Sequence, residues 1–298
     1  MSNYFDQKTS FMEPVVTQYG SRMVMTNVVK SKTKKYINFD TRFSDYTNSE
    51  YNFQLPQRIT NVTQIKVSQI EIPVTFYNIS SQLKNNYFLI KNITSNIQYP
   101  ILISDGHYSK ETFMAKIQTL LPINSITFNI NSNNICSFFN SSTSIYLIDF
   151  SINESGIACT DYSENSIKVL LGFKKSSIHY NLPSNTTLYA ENTFNINTIR
   201  YIFLTMEDFV NSSSNGFIAM LRDSTLNKKI LTRISIDTNI YPFGSIMHGE
   251  LKLMDCVRKY YGPADLQKIK IQLVNEYGAP ISLNGGHFSF CLEIDMEE

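Results

Sequence analysis

Residues 265–295, DLQKIKIQLVNEYGAPISLNGGHFSFCLEID, decide the fold class of this chain. The stretch alternates apolar and polar residues, turns at Gly278 and Pro280, and then alternates again. The apolar positions are Ile269, Ile271 and Leu273 before the turn and Phe288, Phe290, Leu292 and Ile294 after it. A period of two residues is typical of β-strands, whose side chains point to alternate faces. The stretch therefore predicts two strands paired through the turn, with one wet face and one buried face, as in a β-sandwich.

Shorter stretches of the same kind occur along most of the chain after residue 35. Further strands are predicted at residues 35–43, 61–73, 86–93, 98–104, 125–130, 135–140, 144–152, 199–209 and 228–237. Between Val62 and Ile65 the alternation slips by one residue, which indicates a β-bulge. Pro73 ends that strand, because proline has no N–H to donate to a ladder. Residues 174–197, rich in asparagine, are interpreted as a polar connection.

One segment, residues 105–122, has the period of a helix instead. Ser109 can cap its first turn, and Glu111 places a negative charge where the helix dipole favours one. Pro122 ends the run, and a second, much shorter helical segment is predicted before Gly172. The predicted fold is all-β: a single jelly-roll β-sandwich with one short amphipathic helix and an extended N-terminal arm.

Composition excludes several classes of protein. With 42% hydrophobic residues the chain is folded rather than disordered. Its formal charge of +1 argues against a general nucleic-acid binder, and no sequence-specific nucleic acid is expected as a partner. Only 17% of the residues are charged, so uncharged polar residues or neighbouring subunits must cover the surface. No stretch resembles a signal peptide or a membrane span, and four widely spaced cysteines are typical of reduced thiols. Together these features predict a soluble chain made in a reducing cytoplasm.

Residues 1–35 differ from the rest, because they lack sustained periodicity and end in the basic cluster KSKTKK. We interpret them as an extended arm that gains order from a partner, with a frayed terminus as the alternative. The predicted division of the chain is an arm of residues 1–35 and a jelly-roll domain, with loop insertions, of residues 36–298. The candidate interaction residues of the arm are Lys30, Lys32, Lys34 and Lys35.

Arg42 is a further candidate interaction residue. It lies between Asp40 and Asp45 in the sequence FDTRFSDY. The two carboxylates could form an acid–base pair, but such pairs usually come from separate segments of a chain. The favoured interpretation is that Arg42 pairs with one or both acids and fixes the chain as it leaves the first strand.

The sequence predicts no catalytic, metal-binding or cofactor-binding residues. The four histidines (His107, His179, His248 and His287) lack the spacing of a zinc site, and no nucleophile elbow or phosphate-cradling glycine loop occurs. Cys291 and His287 would lie about 13 Å apart on one strand, too far for proton transfer. We therefore expect neither an enzyme nor a cofactor.

The 18 tyrosines and 20 phenylalanines keep a second function class open. A β-sandwich that binds a receptor or a glycan often presents aromatic side chains for stacking, although tryptophan, the best platform, is absent. Most of these aromatic residues occupy the apolar phase of predicted strands. That position favours packing in the core over binding.

The order of the predicted elements resembles a known family. Residues 36–80 resemble the opening of minor capsid and vertex proteins of the large icosahedral nucleocytoplasmic DNA viruses. Those proteins begin with an I-x-I/F-D-S/T-R-F strand, an F-x-I-x-L-P strand and a long strand that ends in I-E-I/L-P. The matching segments are residues 37–43, 53–56 and 65–73, followed by similar segments at 103–121, 200–209 and 260–294. The likeness covers most of residues 36–298, apart from 174–197.

The resemblance implies a single jelly roll with a structural role in a capsid. It favours the pentameric penton at the vertices, with a minor capsid cement protein beneath the major capsid protein as the alternative. The partners it implies are other copies of this chain in a homopentamer, the major capsid protein, other minor capsid proteins and an inner membrane. The location it implies is the virion of a double-stranded DNA virus that assembles in the host cytoplasm.

Overall fold

The computed structural model describes the chain from residue 10 to residue 297, with several gaps. The described residues are 10–17, 20–27, 31–47, 50–122, 125–158, 166–174, 176–197, 199–210, 213–214, 217–221, 224–238, 240–250 and 257–297. Neither α-helix in these residues is long and apolar enough to cross a membrane.

Strands dominate the described part of the chain, and every strand pairing is antiparallel. The first strands are β1 (Ser10–Thr17), β2 (Gly20–Asn27), β3 (Lys32–Asp40), β4 (Asp45–Thr47), β5 (Glu50–Pro73), β6 (Tyr87–Asn92) and β7 (Gln98–Leu102). The later ones are β8 (Ile126–Ile130), β9 (Cys136–Asn140), β10 (Tyr146–Asp149), β11 (His179–Leu182), β12 (Thr187–Tyr189), β13 (Tyr201–Glu207), β14 (Ile230–Ser235), β15 (Ile246–Glu250), β16 (Arg258–Val274) and β17 (Ser289–Glu297). The helices are α1 (Lys110–Leu120) and α2 (Ile167–Leu170), with a 3-10 turn at Thr41–Phe43.

The largest sheet is organised around β5, a strand of 24 residues. Its strand order is β14-β13-β16-β5-β17-β3, with β4 and β15 also paired to β5. Strands β16 and β15 pair one after the other with one edge of β5. Strands β4 and β17 pair in the same way with its other edge, so β5 runs through the whole sheet. The main apolar cluster of the sheet, called here the terminal core, joins residues of β3 to residues of β17 at the other end of the chain; Phe39, Ile70, Ile202 and Phe290 are members.

Two smaller sheets lie between β5 and β13 in the chain. Their strand orders are β11-β10-β6-β7 and β12-β9-β8, and α1 packs near β8 and β7. They enclose a separate apolar cluster, called here the inner core, whose members all fall between Ile79 and Phe194. These antiparallel, curled sheets confirm the predicted all-β, jelly-roll-like fold.

Most of the predicted elements are confirmed. Helix α1 begins after Ser109, whose hydroxyl accepts a hydrogen bond from the Thr112 amide at 3.3 Å. Helix α2 is a single turn before Gly172, which has a φ of +87°. The predicted bulge in β5 is present, because its pairing with β17 shifts register between Gln64 and Val62.

The predicted pairing of the two C-terminal strands is wrong. Strands β16 and β17 both exist, but β5 lies between them in the sheet. A tight turn would force two successive strands to pair, whereas the connection of residues 275–288 is long enough to cross over a third strand. The interpretation of residues 174–197 as a connection is also wrong, because they contain β11 and β12. These strands form where β10 and β9 offer backbone partners, despite a polar sequence.

The N-terminal region contains paired strands. Strands β1 and β2 form a two-stranded sheet of their own, and β3 begins at Lys32, inside the predicted arm. The division into an arm of residues 1–35 and a domain of residues 36–298 stays a prediction.

Candidate interaction surface

The predicted interaction residues lie along the rim of the large sheet. Lys32, Lys34 and Lys35 belong to β3, the outermost strand on one side, and Arg42 lies in the 3-10 turn that follows it. Lys30 lies outside the described residues. The structure thus brings four of the five candidates onto one edge strand and its exit turn.

The Arg42 guanidinium forms a fork with the Asp40 carboxylate. Its Nε donates to Asp40 Oδ2 at 2.9 Å and its Nη2 to the same oxygen at 2.5 Å, while the Arg42 backbone N–H donates to Oδ1 at 2.9 Å. The hydrogen bond from Arg42 is the main reason that the pKa of Asp40 is lowered. The predicted pairing of Arg42 is therefore confirmed with Asp40, and it fixes the turn at the end of β3. The Arg42 side chain remains 64% exposed.

Among the side chains that the structure describes, Phe43 is the most exposed large apolar one, at 82%. The Arg42 guanidinium lies 5.6 Å from the centre of its ring. The sequence pattern did not predict this exposure. Phe43 lies four residues after the core residue Phe39, so a continuous strand would point both side chains to the same buried face. The 3-10 turn that starts at Thr41 breaks the two-residue period and turns the ring outward.

A ladder of charges ties β3 to the sheet. Lys34 on β3 forms an ion pair with Glu293 on β17 and lies 3.8 Å from Asp295, while Lys66 on β5 lies 3.3 Å from Glu293. The hydrogen bond from Lys34 lowers the pKa of Glu293 despite partial burial. The two acids were not predicted as partners, although their alternation with Leu292 and Ile294 in CLEIDME indicates one polar face. Lys34 thus has acidic partners within the chain, although its side chain is exposed, as are those of Lys32 and Lys35.

A shallow cleft lies beside the turn. Its lining includes Asp40, Arg42, Glu71, Ile246, His287 and Ser289. Ser289 Oγ lies 3.2 Å from a Glu71 carboxylate oxygen, and His248 Nδ1 lies 3.7 Å from the other. His287 Nδ1 lies 3.4 Å from the hydroxyl of Thr41. The groups can offer polar contacts to a partner, and no cluster of three metal-ligating side chains occurs in the described part of the chain.

A buried ion pair of the large sheet, between Asp208 and Arg258, was not predicted at all. The Asp208 carboxylate is fully buried and accepts hydrogen bonds from Arg258 and from the Tyr260 hydroxyl, each at 2.9 Å. The same guanidinium donates to the backbone oxygens of Met206 and Lys229. Burial is the main reason that the pKa of Tyr260 is raised far above its usual value. The network joins β13, β14 and β16, and no local sequence signal connects residues 50 positions apart.

The structure also bears on the aromatic residues and the cysteines. Most described phenylalanines are buried, which confirms that they pack the core.

Of the cysteines, Cys136 is a buried free thiol and Cys291 a half-buried one, whereas Cys159 and Cys256 lie outside the described residues. Cys291 Sγ lies 3.9 Å from the Leu292 carbonyl oxygen.

Comparisons with known proteins leave the family of the chain open. No protein-family model matches the chain, and no curated protein matches it. Among solved structures, the chain is similar to the crystal structure of a selenomethionine-labelled mavirus penton protein, with 8% sequence identity and a TM-score of 0.47. That match covers 90% of this chain and 100% of the other. An identity and a TM-score this low do not assign the chain to that protein's family.

Proposed function

We propose that this protein is a structural subunit of an icosahedral virus capsid and that it forms the pentameric penton at the vertices. The proposal is supported by the ordered sequence resemblance over most of residues 36–298 and by the all-β fold. It requires no catalytic group and no cofactor. Its further partners would be the major capsid protein, other minor capsid proteins and an inner membrane, in a virion assembled in the host cytoplasm.

The observation that carries the proposal is the exposed end of β3. The segment Asp40–Phe43 is part of the motif that resembles the capsid family, and its geometry suits a contact between subunits. Asp40 holds Arg42 in place, and Phe43 stands out from the surface beside it. Arginine and aromatic residues are the types that dominate binding energy at protein interfaces. A rigid rim with such a pair is therefore a suitable contact for a neighbouring subunit.

A ring of identical subunits requires a contact in which one surface of each copy meets a different surface of the next. The low charged fraction of this chain suits such an assembly, because fewer charges have to be desolvated at each contact. A fivefold ring is the closed form expected at a capsid vertex.

Mass photometry of the purified protein across a salt series tests the proposal. We expect a species near five times 34.2 kDa that persists as the salt concentration rises, because salt does not screen the apolar contact that Phe43 would make. Phe43→Ala should shift the protein to monomers. Phe139→Ala is the matched control, since Phe139 is a half-exposed phenylalanine on β9, away from the large sheet.

Equal assembly of the two variants would contradict the role of the rim. A protein that stays monomeric in solution and is found beneath the capsomers, rather than at vertices, in images of particles would instead support the cement role.

A further inference from the structure

Several described strands lie at the edge of a sheet, and two of these edges belong to the N-terminal region of the chain. The hairpin β1–β2 is a two-stranded sheet by itself, and β3 is the last strand on its side of the large sheet. An isolated two-stranded hairpin is at best marginally stable in water. A long uncovered edge strand readily pairs with another chain. The hairpin β1–β2 and the outer edge of β3 are therefore both suited to pairing with a further strand.

Only one edge of the hairpin is suited to pairing. The register places Thr17 opposite Gly20 and Pro14 opposite Met23, with a connection of two residues. Hydrogen-bonded and non-bonded pairs alternate outward from such a connection, so the backbone of residues 14 and 23 faces away from the hairpin. Pro14 has no N–H and interrupts the outer edge of β1. The outer edge of β2 carries the amides of Ser21, Met23 and Met25 without interruption.

The open edge of β3 is equally regular. The Thr41 N–H donates to the Phe288 carbonyl oxygen at 3.0 Å, which marks a hydrogen-bonded pair of the β3–β17 ladder. By alternation, the amides of Ile37 and Phe39 face β17, whereas those of Tyr36 and Asn38 face away from it. The register runs without a shift along the whole of β3, and the strand contains no proline. Tyr36 is 60% exposed.

Lysines on an edge strand often protect it from pairing with another chain. Here the three lysines of β3 all lie in its first four residues. The charge of Lys34 is offset by its ion pair with Glu293. The second half of the strand, from Tyr36 to Asp40, has no such protection.

We propose that β2 of one copy of this protein adds to the open edge of β3 in a neighbouring copy. The two edges match in length, eight residues against nine. The four-residue connection 28–31 is long enough for a hairpin between β2 and β3 of one chain, yet β2 pairs with β1 alone among the described strands. Each copy is thus both donor and acceptor. A contact of this kind closes into a ring or extends as a filament, so the inference rests on the proposed assembly of identical subunits and specifies its contact.

Proline substitutions on the two edges of the hairpin test the exchange in the full-length protein. Met23→Pro removes an outward amide from β2, and Val16→Pro removes the equivalent outward amide from β1. Neither change touches a hydrogen bond between β1 and β2. We expect Met23→Pro to weaken assembly by about tenfold or more, since a lost hydrogen bond and a steric block act together, and Val16→Pro to leave it unchanged. Equal assembly of both variants would overturn the exchange.

Cross-linking distinguishes exchange between copies from pairing within one chain. Copies with Met23→Cys are mixed with differently tagged copies with Tyr36→Cys and treated with a short bismaleimide, and wild-type copies show the background from native cysteines. We expect a mixed dimer in denaturing gels. A link that forms only within a single chain carrying both substitutions would overturn the exchange, as would a wild-type protein that is monomeric and forms no mixed product.

The two proposals can fail separately. A fivefold species that survives Met23→Pro without mixed cross-links overturns the exchange and leaves the penton proposal standing. Mixed cross-links in an assembly that does not contain five copies support the exchange and contradict the penton.

Discussion

The terminal core and the inner core are built from the chain in opposite ways. Every member of the inner core lies between Ile79 and Phe194, so it is assembled from neighbouring segments. The terminal core joins β3 near one end of the chain to β17 at the other, and the Lys34–Glu293 pair spans 259 positions. Non-local pairing requires a large loss of chain entropy before its contacts form. We infer that the inner core can form early, whereas the large sheet and its rim are completed only when both ends have docked.

The largest expected effects on stability come from replacing one large buried side chain in each core. Phe138→Ala in the inner core and Phe290→Ala in the terminal core should each lower the free energy of unfolding by about 3 to 5 kcal/mol, because both side chains are fully buried. Chemical denaturation measures the loss. Hydrogen exchange should show faster opening of residues 79–194 in the first variant and of the large sheet in the second. Equal acceleration everywhere would mean that the two cores unfold as one unit.

Cys136 offers a chemical probe of the same comparison. Burial raises the pKa of its thiol to about 12, and the thiolate is the reactive form. At pH 8 we therefore expect alkylation of Cys136 only after the inner core opens. Phe138→Ala should speed that alkylation and Phe290→Ala should not, as followed by mass spectrometry of the labelled peptide.

The next effect concerns the buried ion pair of the large sheet. Arg258→Met leaves the fully buried Asp208 carboxylate without its main partner and should cost about 3 kcal/mol. Arg58→Met is the control, because Arg58 pairs with Asp265 at the exposed surface and should cost less than about 1 kcal/mol. The two losses are compared by urea denaturation. Similar values would show that the network contributes little to the large sheet.

A smaller loss of stability is expected on replacing Gly172 or Gly156, two glycines between β10 and β11. Gly172 and Gly156 both have positive φ, but a Cβ at Gly172 would lie 2.1 Å from the carbonyl oxygen of Asn192, whereas a Cβ at Gly156 meets nothing within 4 Å. Gly172→Ala should cost about 2 to 3 kcal/mol and Gly156→Ala about 1 kcal/mol. Thermal unfolding of the two variants measures the difference. A larger loss for Gly156→Ala would contradict the close packing around α2.

The smallest effect is expected at the rim. The pKa of Glu293 is lowered by Lys34, so the stability from this pair is present above the unfolded carboxyl pKa of about 4.3 and is lost as the pH falls through the folded value. Lys34→Met should lower the denaturation midpoint slightly at pH 7, and its difference from wild type should shrink by pH 3. Lys35→Met is the control, with no change expected at either pH. A constant difference across this range would show that Lys34 acts by another route.

The sequence was most informative where a local rule operates. Ser109 predicts the start of α1, since its hydroxyl can satisfy an amide within the same turn, and the slip before Ile65 predicts the bulge. It was least informative where the partner is remote. β11 and β12 are short and polar, and they become strands only because β10 and β9 supply hydrogen bonds. The exposure of Phe43 could not be predicted, since the 3-10 turn reverses the parity that the strand pattern implies.

The sequence by itself determined the all-β class, the capped start of α1 and the pairing of Arg42 with a neighbouring acid, because each depends on periodicity or on neighbours in the chain. Only the tertiary structure decided that β5 lies between β16 and β17, that Asp208 meets Arg258, and that no described strand covers the outer edge of β3. These features depend on which distant segments compete for the same backbone groups. A pattern of alternating residues specifies the two faces of a strand but does not specify the strand beside it.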